Sequence, residues 1–501
     1  MYGRVADIQI KPYQPPQGAV NLADLFTPLR RQPHAMLLLS GGDLDCAGYS
    51  LMGWDPFLVI KAKGRQVSIS GPANDQLYAD ADPFQALEEA LESLALPGPS
   101  PLAPFSAGAM GFLAYDLKNH LERLPTDAVD DLGLPELVMA FPRRLVVHDR
   151  RQGDFWEIRV LYEDRQGRLH SSAGDWPAAT PDNLGTYQVG PLHSNFTREA
   201  YIQAVARIRE YIKNGDVYQV NLSQRFSFPL NGEAYRLFLN LFGLNPAPFY
   251  AYLNCGDFQI LSTSMERFLF QQGDYLETRP IKGTRPRGRT PEEDLVLRRE
   301  LVGSLKDDAE LSMIVDLLRN DLGKVCQGRT VQVKEHKRLE AYQNVYHLVS
   351  IVTGKLRPEA TQVDILRATF PGGSITGCPK IRAMEIIDEL EPQERHVYCG
   401  AMGYLGLHRN LDLNVAIRTA VISRGRAHFS VGGGVVYDSD EADEYEETLH
   451  KGRTLFRVIE DAGREILGEG AKGGGLAVPR PSPQIHISNN TYGTGRIRLA
   501  Q

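Results

Sequence analysis

Apolar residues recur every three or four positions over residues 197–213, and this spacing predicts an α-helix that the Asn214-Gly215 pair ends. Strict alternation follows over residues 217–223 and predicts a strand, with Tyr218, Val220 and Leu222 on one face. Gln219 and Asn221 occupy the other face. The same analysis predicts further alternating helices and strands up to about residue 461.

Two later helices carry acidic residues. Over residues 307–321 the apolar stripe predicts a helix with Asp307 or Asp308 as its N-cap and Glu310 in its first turn. A carboxylate there is favoured by the helix dipole alone, without any functional role. Residues 440–459 form a second helix, in which Glu444, Glu447 and Lys451 lie on a different side from the apolar seam. Glu447 and Lys451 form an ordinary exposed ion pair, or the carboxylates on this side of the helix join Glu310 around a hard cation.

Short apolar runs separated by Gly/Pro-rich breaks occupy residues 36–39, 137–141 and 145–147. Residues 166–195 are polar and poor in aliphatic side chains, which predicts a linker. We therefore expect an N-terminal domain over residues 1–165, a second domain over 196–465, and a flexible tail over 466–501.

Composition excludes several classes of protein. Of the 501 residues 42% are hydrophobic and 23% charged, which excludes disorder of the whole chain. The net charge of −7 removes the electrostatic argument for nucleic acid or anionic membrane as a partner. No apolar run reaches the roughly 18 residues of a membrane span, and the five scattered cysteines form no C-x-x-C pair. We expect a reduced, cytoplasmic protein.

The segment ETRPIKGTRPRG, residues 277–288, places a lysine between glycine- and proline-rich flanks. It is either a solvated loop or a rigid turn that projects Lys282 into a cleft, where Gly283 and Thr284 meet an anion. A desolvated lysine loses its proton more easily and can act as a nucleophile. The segment FPGGSITGCPK, residues 370–380, lacks the Gly-Lys of a nucleotide-binding loop, but it leads into a helix whose N-terminus suits a carboxylate.

These segments occur in the order found in the chorismate-utilising enzymes, which the chain resembles from about residue 196 to residue 460. The shared blocks are GDVYQVNLSQRF, STSMERF, PIKGTRPRG, AELSMIVDLLRND, YHLVS, FPGGSITGCPKIRAMEIIDELE, GAMGYLG, LNVAIRT, GGGVV and EETLHK. The resemblance implies an α+β fold of two interleaved domains, with large, mostly antiparallel sheets flanked by helices.

Two positions distinguish reactions within this family. Members that add water to chorismate carry a lysine where this chain has Gln219, and anthranilate-forming members carry PIAGT where it has PIKGT with Lys282. The resemblance therefore implies amination at ring carbon 4, giving 4-amino-4-deoxychorismate on the route to 4-aminobenzoate and folate. An anthranilate-forming enzyme is the nearest alternative. A non-catalytic regulator that binds tryptophan or chorismate is an alternative of another class.

The same resemblance assigns roles to residues. Lys282 would form a covalent adduct, and Glu266 would act as general acid, although Met265 replaces the family's usual proline beside it. Mg2+ would bind Glu310 and Glu447. The remaining predicted substrate-binding residues are Gly283, Thr284, His347, Thr376, Tyr404, Arg418, Gly433, Gly434 and Lys451.

Two further expectations concern ligands and partners. Ser40, Tyr49 and Ser50 loosely resemble the region that holds tryptophan in many family members, and whether tryptophan binds is left open. None of the five cysteines lies in a turn like that of a glutaminase nucleophile. A separate glutamine amidotransferase subunit is therefore expected to supply the ammonia.

Overall fold

The computed structural model describes residues 2–16, 21–71, 75–172 and 184–467, with side chains described to residue 461. Most of the predicted tail, residues 468–501, lies outside the described part. Within that part, no helix is both long and apolar enough to cross a membrane.

The described residues form nine α-helices and three short 3-10 helices. The α-helices are α1 (Leu22–Phe26), α2 (Pro83–Ser93), α3 (Arg198–Lys213), α4 (Ala234–Leu244), α5 (Pro291–Gly303), α6 (Leu305–Gly323), α7 (Gln362–Thr369), α8 (Lys380–Leu390) and α9 (Glu441–Leu467). The 3-10 helices are Thr27–Leu29, Tyr115–His120 and Gly373–Ile375.

The strands account for most of the remaining structure. They are β1 (Arg4–Pro12), β2 (Met36–Leu39), β3 (Tyr49–Lys63), β4 (Gln66–Ser70), β5 (Gln76–Tyr78), β6 (Gly108–Leu113), β7 (Leu137–Asp149), β8 (Asp154–Glu163), β9 (Leu169–His170), β10 (Tyr187–Val189), β11 (His193–Ser194), β12 (Gln219–Gly232), β13 (Phe249–Asn254), β14 (Phe258–Ser264), β15 (Arg267–Gln272), β16 (Tyr275–Arg279), β17 (Ile281–Pro286), β18 (Gln332–Ala341), β19 (Val345–Lys355), β20 (Gly377–Cys378), β21 (Ala401–Gly406), β22 (Asn410–Val415), β23 (Thr419–Ser423) and β24 (Arg426–Val435).

Antiparallel pairing links these strands into two arms that meet at the long pair β3–β7. One arm, here the lysine arm, runs from β7 through β6, β21, β22, β15 and β16 to β19, which pairs with β17 and β18. The other, the glycine arm, runs from β3 through β2, β13, β14, β23 and β24 to β12. The predicted α+β class with large antiparallel sheets is confirmed.

Strands on both sides of the predicted domain boundary share these arms. β2 and β6 from the N-terminal part pair with β13 and β21 from the C-terminal part. The segment predicted as a linker also contributes strands, since β10 and β11 both pair with β12. Short polar stretches can join a sheet in this way because the pairing uses backbone groups rather than side chains.

The predicted helix over residues 197–213 is confirmed as α3, and the Thr197 side chain caps it by accepting a hydrogen bond from the Ala200 N–H at 3.1 Å. The predicted strand over 217–223 is only the beginning of β12, which continues to Gly232. Gln219 and Asn221 are buried with Val220 and Leu222, so both faces of this strand are covered. Tyr218, predicted to share the buried face, is exposed just before the strand begins.

The predicted N-cap of α6 is wrong. Ser304 caps the helix, accepting a hydrogen bond from the Asp307 N–H at 3.2 Å, so that Asp307 and Asp308 belong to the first turn. Glu310 consequently lies one turn further in. Because the helix dipole acts mainly on the first turn, its favourable effect does not by itself account for the carboxylate at Glu310.

Candidate active site

The far ends of the two arms meet around Lys282. This residue lies on β17, where the pairing with β19 shifts between Lys282 and Thr284, and Gly283 between them has φ +75°. The Lys282 Nζ lies 3.8 Å from Glu310 Oε2 on α6, and the two side chains are only 13% and 15% exposed. Of the two alternatives for the lysine, the enclosed position beside a carboxylate is the one observed.

The glycines of β24 provide the space that Lys282 occupies. A Cβ atom on Gly434 would lie 2.9 Å from Lys282 Nζ and 2.0 Å from Gln219 Nε2. At Gly433, a Cβ would lie 3.0 Å from Glu444 Oε2 and 3.4 Å from Glu447 Oε1. Glycine at these two positions therefore keeps a gap open between the sheet and the charged groups above it.

A pair of charged residues on α9 faces the same gap. Lys451 Nζ lies 2.6 Å from Glu447 Oε1 and donates a hydrogen bond to the Gly432 carbonyl at 2.9 Å. The adjacent Lys451 ammonium lowers the pKa of Glu447 to about 2, so this carboxylate is charged at neutral pH. The Glu447 side chain is 47% exposed, which makes it the solvent-facing edge of the site.

Glu444 is a third carboxylate that the sequence analysis placed beside Glu447 but did not name as a ligand. It is buried, its Oε1 accepts a hydrogen bond from Ser439 Oγ at 2.6 Å, and its Oε2 has no hydrogen-bond partner in the described residues. Burial, followed by the charge of Glu447, raises the pKa of Glu444. Residues three apart lie on the same side of a helix, so the spacing of Glu444 and Glu447 is the sequence signal that could have identified Glu444 as a further ligand.

These carboxylates fit a hard divalent cation. A buried oxygen without a hydrogen-bond partner, on Glu444, lies near Glu447 across Gly433, and Glu310 reaches the same region from α6. Magnesium prefers one or two carboxylates, with other oxygen atoms completing its coordination. The predicted ligands Glu310 and Glu447 are thus suitable, and Glu444 adds a further oxygen donor.

Glu266 lies just before β15 and is 4% exposed. Burial raises its pKa to about 7, although a hydrogen bond from Ser374, the charge of Lys282 and the backbone N–H of Ile281 act in the opposite direction. Ser374 Oγ donates to Glu266 Oε1 at 2.5 Å. These neighbours place the carboxyl group near Lys282 and give it a proton affinity suited to acid catalysis near neutral pH.

Two predicted binding residues are connected by a hydrogen bond. Thr284 Oγ1 and His347 Nδ1 are 2.9 Å apart, and His347 Nε2 is buried without a hydrogen-bond partner in the described part of the chain. Burial and the nearby Arg418 lower the pKa of His347 to about 4, so the ring is neutral at pH 7. Thr376 is also buried, but its hydroxyl donates to the Gly372 carbonyl at 3.1 Å and is occupied within its own turn.

Tyr404 and Arg418, both predicted to bind substrate, line different cavities of the described part. Arg418 donates a hydrogen bond to the Lys451 carbonyl, and burial lowers its pKa while the electrostatic effect of Tyr398 opposes that shift. Tyr404 instead lies on β21 with its ring 4.6 Å from that of Phe105. Tyr398 and Tyr404 are six residues apart, and strand β21 begins between them.

Tyr404 lines a second cavity of about 330 Å³, which also contains Ser40 and Tyr49. Ser50 does not line this cavity: its hydroxyl accepts a hydrogen bond from the Ser40 N–H at 3.0 Å and lies behind it. The Ser40 hydroxyl itself donates to the Pro248 carbonyl at 2.6 Å. Two of the three residues predicted for this site therefore face one cavity.

The chain matches the model of the chorismate binding enzyme family over residues 34–457. It is 38% identical over 440 residues to aminodeoxychorismate synthase component 1 of Salmonella typhimurium, covering 87% of this chain and 95% of the relative. It is 37% identical over 472 residues to anthranilate synthase component 1 of Thermus thermophilus, covering 91% and 99%. The crystal structure of anthranilate synthase component I from Streptococcus pneumoniae is similar at a TM-score of 0.70 and 29% identity, covering 83% and 93%.

Proposed function

The chain belongs to the chorismate binding enzymes, and we propose that it aminates chorismate with ammonia to give 4-amino-4-deoxychorismate, the first step toward 4-aminobenzoate and folate. The observation that carries this proposal is the enclosed Lys282 beside Glu310 and Gly434. A relative named for aminodeoxychorismate synthesis supports it over most of both chains.

Mg2+ is the proposed cofactor, with Glu310 and Glu447 as ligands and Glu444 as an additional donor. When bound, it would neutralise the ring carboxylate of chorismate and make the conjugated ring more electrophilic. The protein's own contribution is to hold Glu444 and Glu447 over Gly433, where a side chain would intrude, and Glu310 beside Lys282.

In the proposed reaction, Lys282 first loses its proton to solvent, and the resulting amine bonds to ring carbon 2 while the two ring double bonds each shift one position. The bond from carbon 4 to the hydroxyl breaks, and Glu266 donates the proton with which that group leaves as water. Ammonia then bonds to carbon 4, the double bonds shift back and the lysine leaves. Burial of Glu266, which raises its pKa to about 7, keeps a proton available for the first step.

We assign Arg418, with Tyr398 beside it, to the side-chain carboxylate of chorismate. A guanidinium binds a carboxylate through two parallel hydrogen bonds. His347 is neutral at pH 7 and therefore contributes a hydrogen-bonding group rather than a charge. Gly283, Thr284, Thr376, Gly434 and Lys451 complete the predicted substrate surface.

A glutamine amidotransferase subunit is the proposed source of ammonia. The five cysteines of this chain are unsuited to glutaminase chemistry because burial raises the pKa of each thiol, to about 12 for Cys46, Cys255 and Cys399, to about 11 for Cys326, and in the same direction for Cys378. A nucleophilic cysteine requires the opposite shift. Tryptophan is the proposed ligand of the second cavity, which Ser40 and Tyr49 line.

Mass spectrometry of the intact protein after brief incubation with chorismate and Mg2+ tests the covalent step. We expect an adduct that maps to Lys282 and is absent from Lys282→Ala, whose rate of product formation falls by about 100-fold or more. Lys306→Ala is a matched control, because Lys306 lies next to the same carboxylates without being the proposed nucleophile. An unchanged rate and product with Lys282→Ala would remove the covalent step.

Anthranilate formation is the second candidate, since relatives named anthranilate synthase are 36–37% identical to the chain. Chromatography of the products from chorismate, Mg2+ and ammonia separates the candidates: anthranilate and pyruvate as main products would overturn the amination proposal. Chorismate that binds but is never consumed, even with a glutaminase, would instead identify a non-catalytic regulator.

A further inference from the structure

A second group of acidic residues surrounds His396, apart from the carboxylates near Lys282. This acidic cluster consists of Asp116, Asp130, Asp131 and Glu394, with His396 among them. Asp116 lies in the 3-10 helix Tyr115–His120, and Glu394 and His396 lie between α8 and β21. The cluster therefore joins the N-terminal part of the chain to a segment of the C-terminal part.

One ligand atom each from Asp116, Glu394 and His396 lie within 4.8 Å of one another. His396 Nδ1 is 3.8 Å from Glu394 Oε2, and His396 Nε2 is 3.6 Å from Asp131 Oδ1 and 3.8 Å from Asp130 Oδ1. Oxygen and nitrogen atoms at these separations need only small side-chain rotations to reach a common ion at roughly 2.0–2.3 Å.

The imidazole of His396 is buried and lacks a hydrogen bond at Nε2 within the described residues. Its side chain is 6% exposed, and its Nε2 makes no hydrogen bond within the described residues although carboxylates approach it. A buried polar nitrogen without a partner is costly, and most such atoms in proteins are paired. An ion on Nδ1, the nitrogen that faces Glu394, would leave Nε2 to donate a hydrogen bond toward Asp131, as metal-bound histidines do with their second ring nitrogen.

Negative charge in the cluster exceeds the positive charge around it. Asp130 is paired with Lys63 and Asp131 with Arg225, whereas the Lys118 ammonium reaches Asp116 Oδ1 only at 4.0 Å.

No lysine or arginine of the described residues forms an ion pair with Glu394. Burial, followed by the charge of Asp116, raises the pKa of Glu394 to about 7. A divalent cation would stabilise both carboxylates in their charged form.

The backbone holds the three segments together without an ion. The His396 N–H donates to Asp116 Oδ2 at 2.8 Å, and the Tyr115 N–H donates to the His396 carbonyl at 2.7 Å. The Glu394 N–H donates to the Val129 carbonyl at 3.1 Å, which fixes the loop that carries Asp130. The donor atoms are therefore positioned in advance, as a metal site requires.

We propose that Asp116, Glu394 and His396 bind one divalent transition-metal ion that cross-links the 3-10 helix to the segment before β21. Two carboxylates and one imidazole suit Zn2+ or Mn2+ better than Mg2+, which prefers oxygen donors alone. The site is structural and distinct from the carboxylates near Lys282. Water would complete the coordination, because Asp131 faces the other ring nitrogen of His396.

Binding of Zn2+ and of Mn2+ to the metal-free full-length chain, measured by isothermal titration calorimetry with excess Mg2+ present, tests this proposal. We expect one ion per chain, unaffected by Glu447→Gln. His396→Gln and Glu394→Gln should each weaken binding by at least about 100-fold, since loss of an outer partner alone costs 10–100-fold. His193→Gln, at an exposed histidine, is the control and should bind like the wild type.

Thermal unfolding distinguishes a lost ligand from a lost fold. Glu394→Gln keeps the shape of the side chain and removes one buried charge, so without metal it should unfold at or above the wild-type temperature. Only the wild type and His193→Gln should gain stability when Zn2+ is added. The proposal is overturned if neither Zn2+ nor Mn2+ binds, or if both cluster variants bind as tightly as the wild type. Lys118 would then remain the cation nearest to Asp116.

Discussion

Glu266 illustrates how a single side chain acquires its chemistry from its surroundings. It is 4% exposed, and burial raises its pKa to about 7, while the hydrogen bond from Ser374 and the charge of Lys282 limit that rise. A glutamate in water would be charged at neutral pH. At this position, the carboxyl group can instead hold a proton and donate it to a leaving hydroxyl.

Glu266→Gln should lower kcat/KM by about 100- to 1,000-fold, because the proposed general acid is lost. Wild-type activity should fall as pH rises through about 7, where Glu266 loses its proton. The residual activity of the variant should lack that decline. Steady-state assays of chorismate amination across this pH range provide the measurement. If the activity of the variant falls above pH 7 as steeply as that of the wild type, Glu266 is not the general acid.

The same replacement should affect stability with a definite sign. Because the folded-state pKa of Glu266 lies above its ordinary value of 4.5, the folded protein binds a proton more tightly than the unfolded chain. The resulting stabilisation is complete below about pH 4.5 and is lost as pH rises through 7, amounting to at most about 3 kcal/mol. Urea denaturation should therefore show that the free energy of unfolding of Glu266→Gln rises relative to that of the wild type between about pH 5 and 8. The exposed Glu446→Gln should show no such relative rise.

Ser374→Ala should move the alkaline decline of activity to higher pH. The serine hydroxyl donates to Glu266 Oε1 at 2.5 Å and lowers the pKa of that carboxyl, so its removal raises the pKa further. Ser374→Thr retains a hydroxyl and should keep the wild-type profile. If the profile of Ser374→Ala shows a lower rate but an unmoved decline, Ser374 does not act through Glu266.

Residue identities were accessible from the sequence to different degrees. The order of motifs led to Lys282, Glu310 and Glu447, whose side chains do converge around β24. The order of motifs indicated Tyr404 and not Tyr398, because a motif does not show the direction in which a side chain points in the folded protein. Pairing of β21 with β6 and β22 is what directs Tyr404 into the second cavity.

At the scale of elements, β24 and β17 together determine whether the Lys282 side chain has room in the site. β24 belongs to the glycine arm and β17 to the lysine arm, yet a Cβ on Gly434 would approach Lys282 Nζ to 2.9 Å. The Lys282 ammonium can lie this close to β24 because Gly434 has no side chain.

Gly434→Ala should therefore lower kcat by about 100-fold, since a displacement of about 1 Å at a reacting group has an effect of that size. The new methyl group would lie 2.0 Å from Gln219 Nε2 and must displace it or Lys282. Gly243→Ala on α4 is the control, because nothing lies within 4 Å of its added carbon. Equal activity of the two variants in the chorismate assay would show that the spacing at Gly434 is not critical.

The start of α6 shows what local sequence signals miss. Asp307 and Asp308 are acceptable N-caps by residue type, and Ser304 is equally acceptable. In the structure Ser304 both ends α5 and caps α6. Glu310 therefore lies beyond the first turn, where its position beside Lys282 depends on tertiary packing.

At the scale of the whole molecule, the N-terminal strands connect the two arms. β3 and β7 pair along most of their length, and each leads into one arm. The residues around Lys282 come from the far ends of both arms, so the site depends on the sheet as a whole rather than on one domain.

The chain alone should form product from chorismate with ammonium salts but not with glutamine. The reason is that burial raises the pKa of all five thiols, so none is an activated nucleophile at neutral pH. Adding the proposed glutamine amidotransferase subunit should allow glutamine to be used. Product chromatography under the three conditions provides the test, and use of glutamine by the isolated chain would contradict the need for a partner.

The sequence by itself determined the family, the α+β class and most of the charged residues of the site, because periodicity and motif order depend on local chemistry. Only the tertiary structure decided which groups meet. Strand pairing over long separations brought Lys282 to Gly434, separated Tyr404 from Arg418 and placed Asp116 beside His396. The physical reason is that burial and electrostatic neighbours, which set the pKa of Glu266 and leave His396 Nε2 without a hydrogen bond in the described residues, depend on distances in space that residue order does not contain.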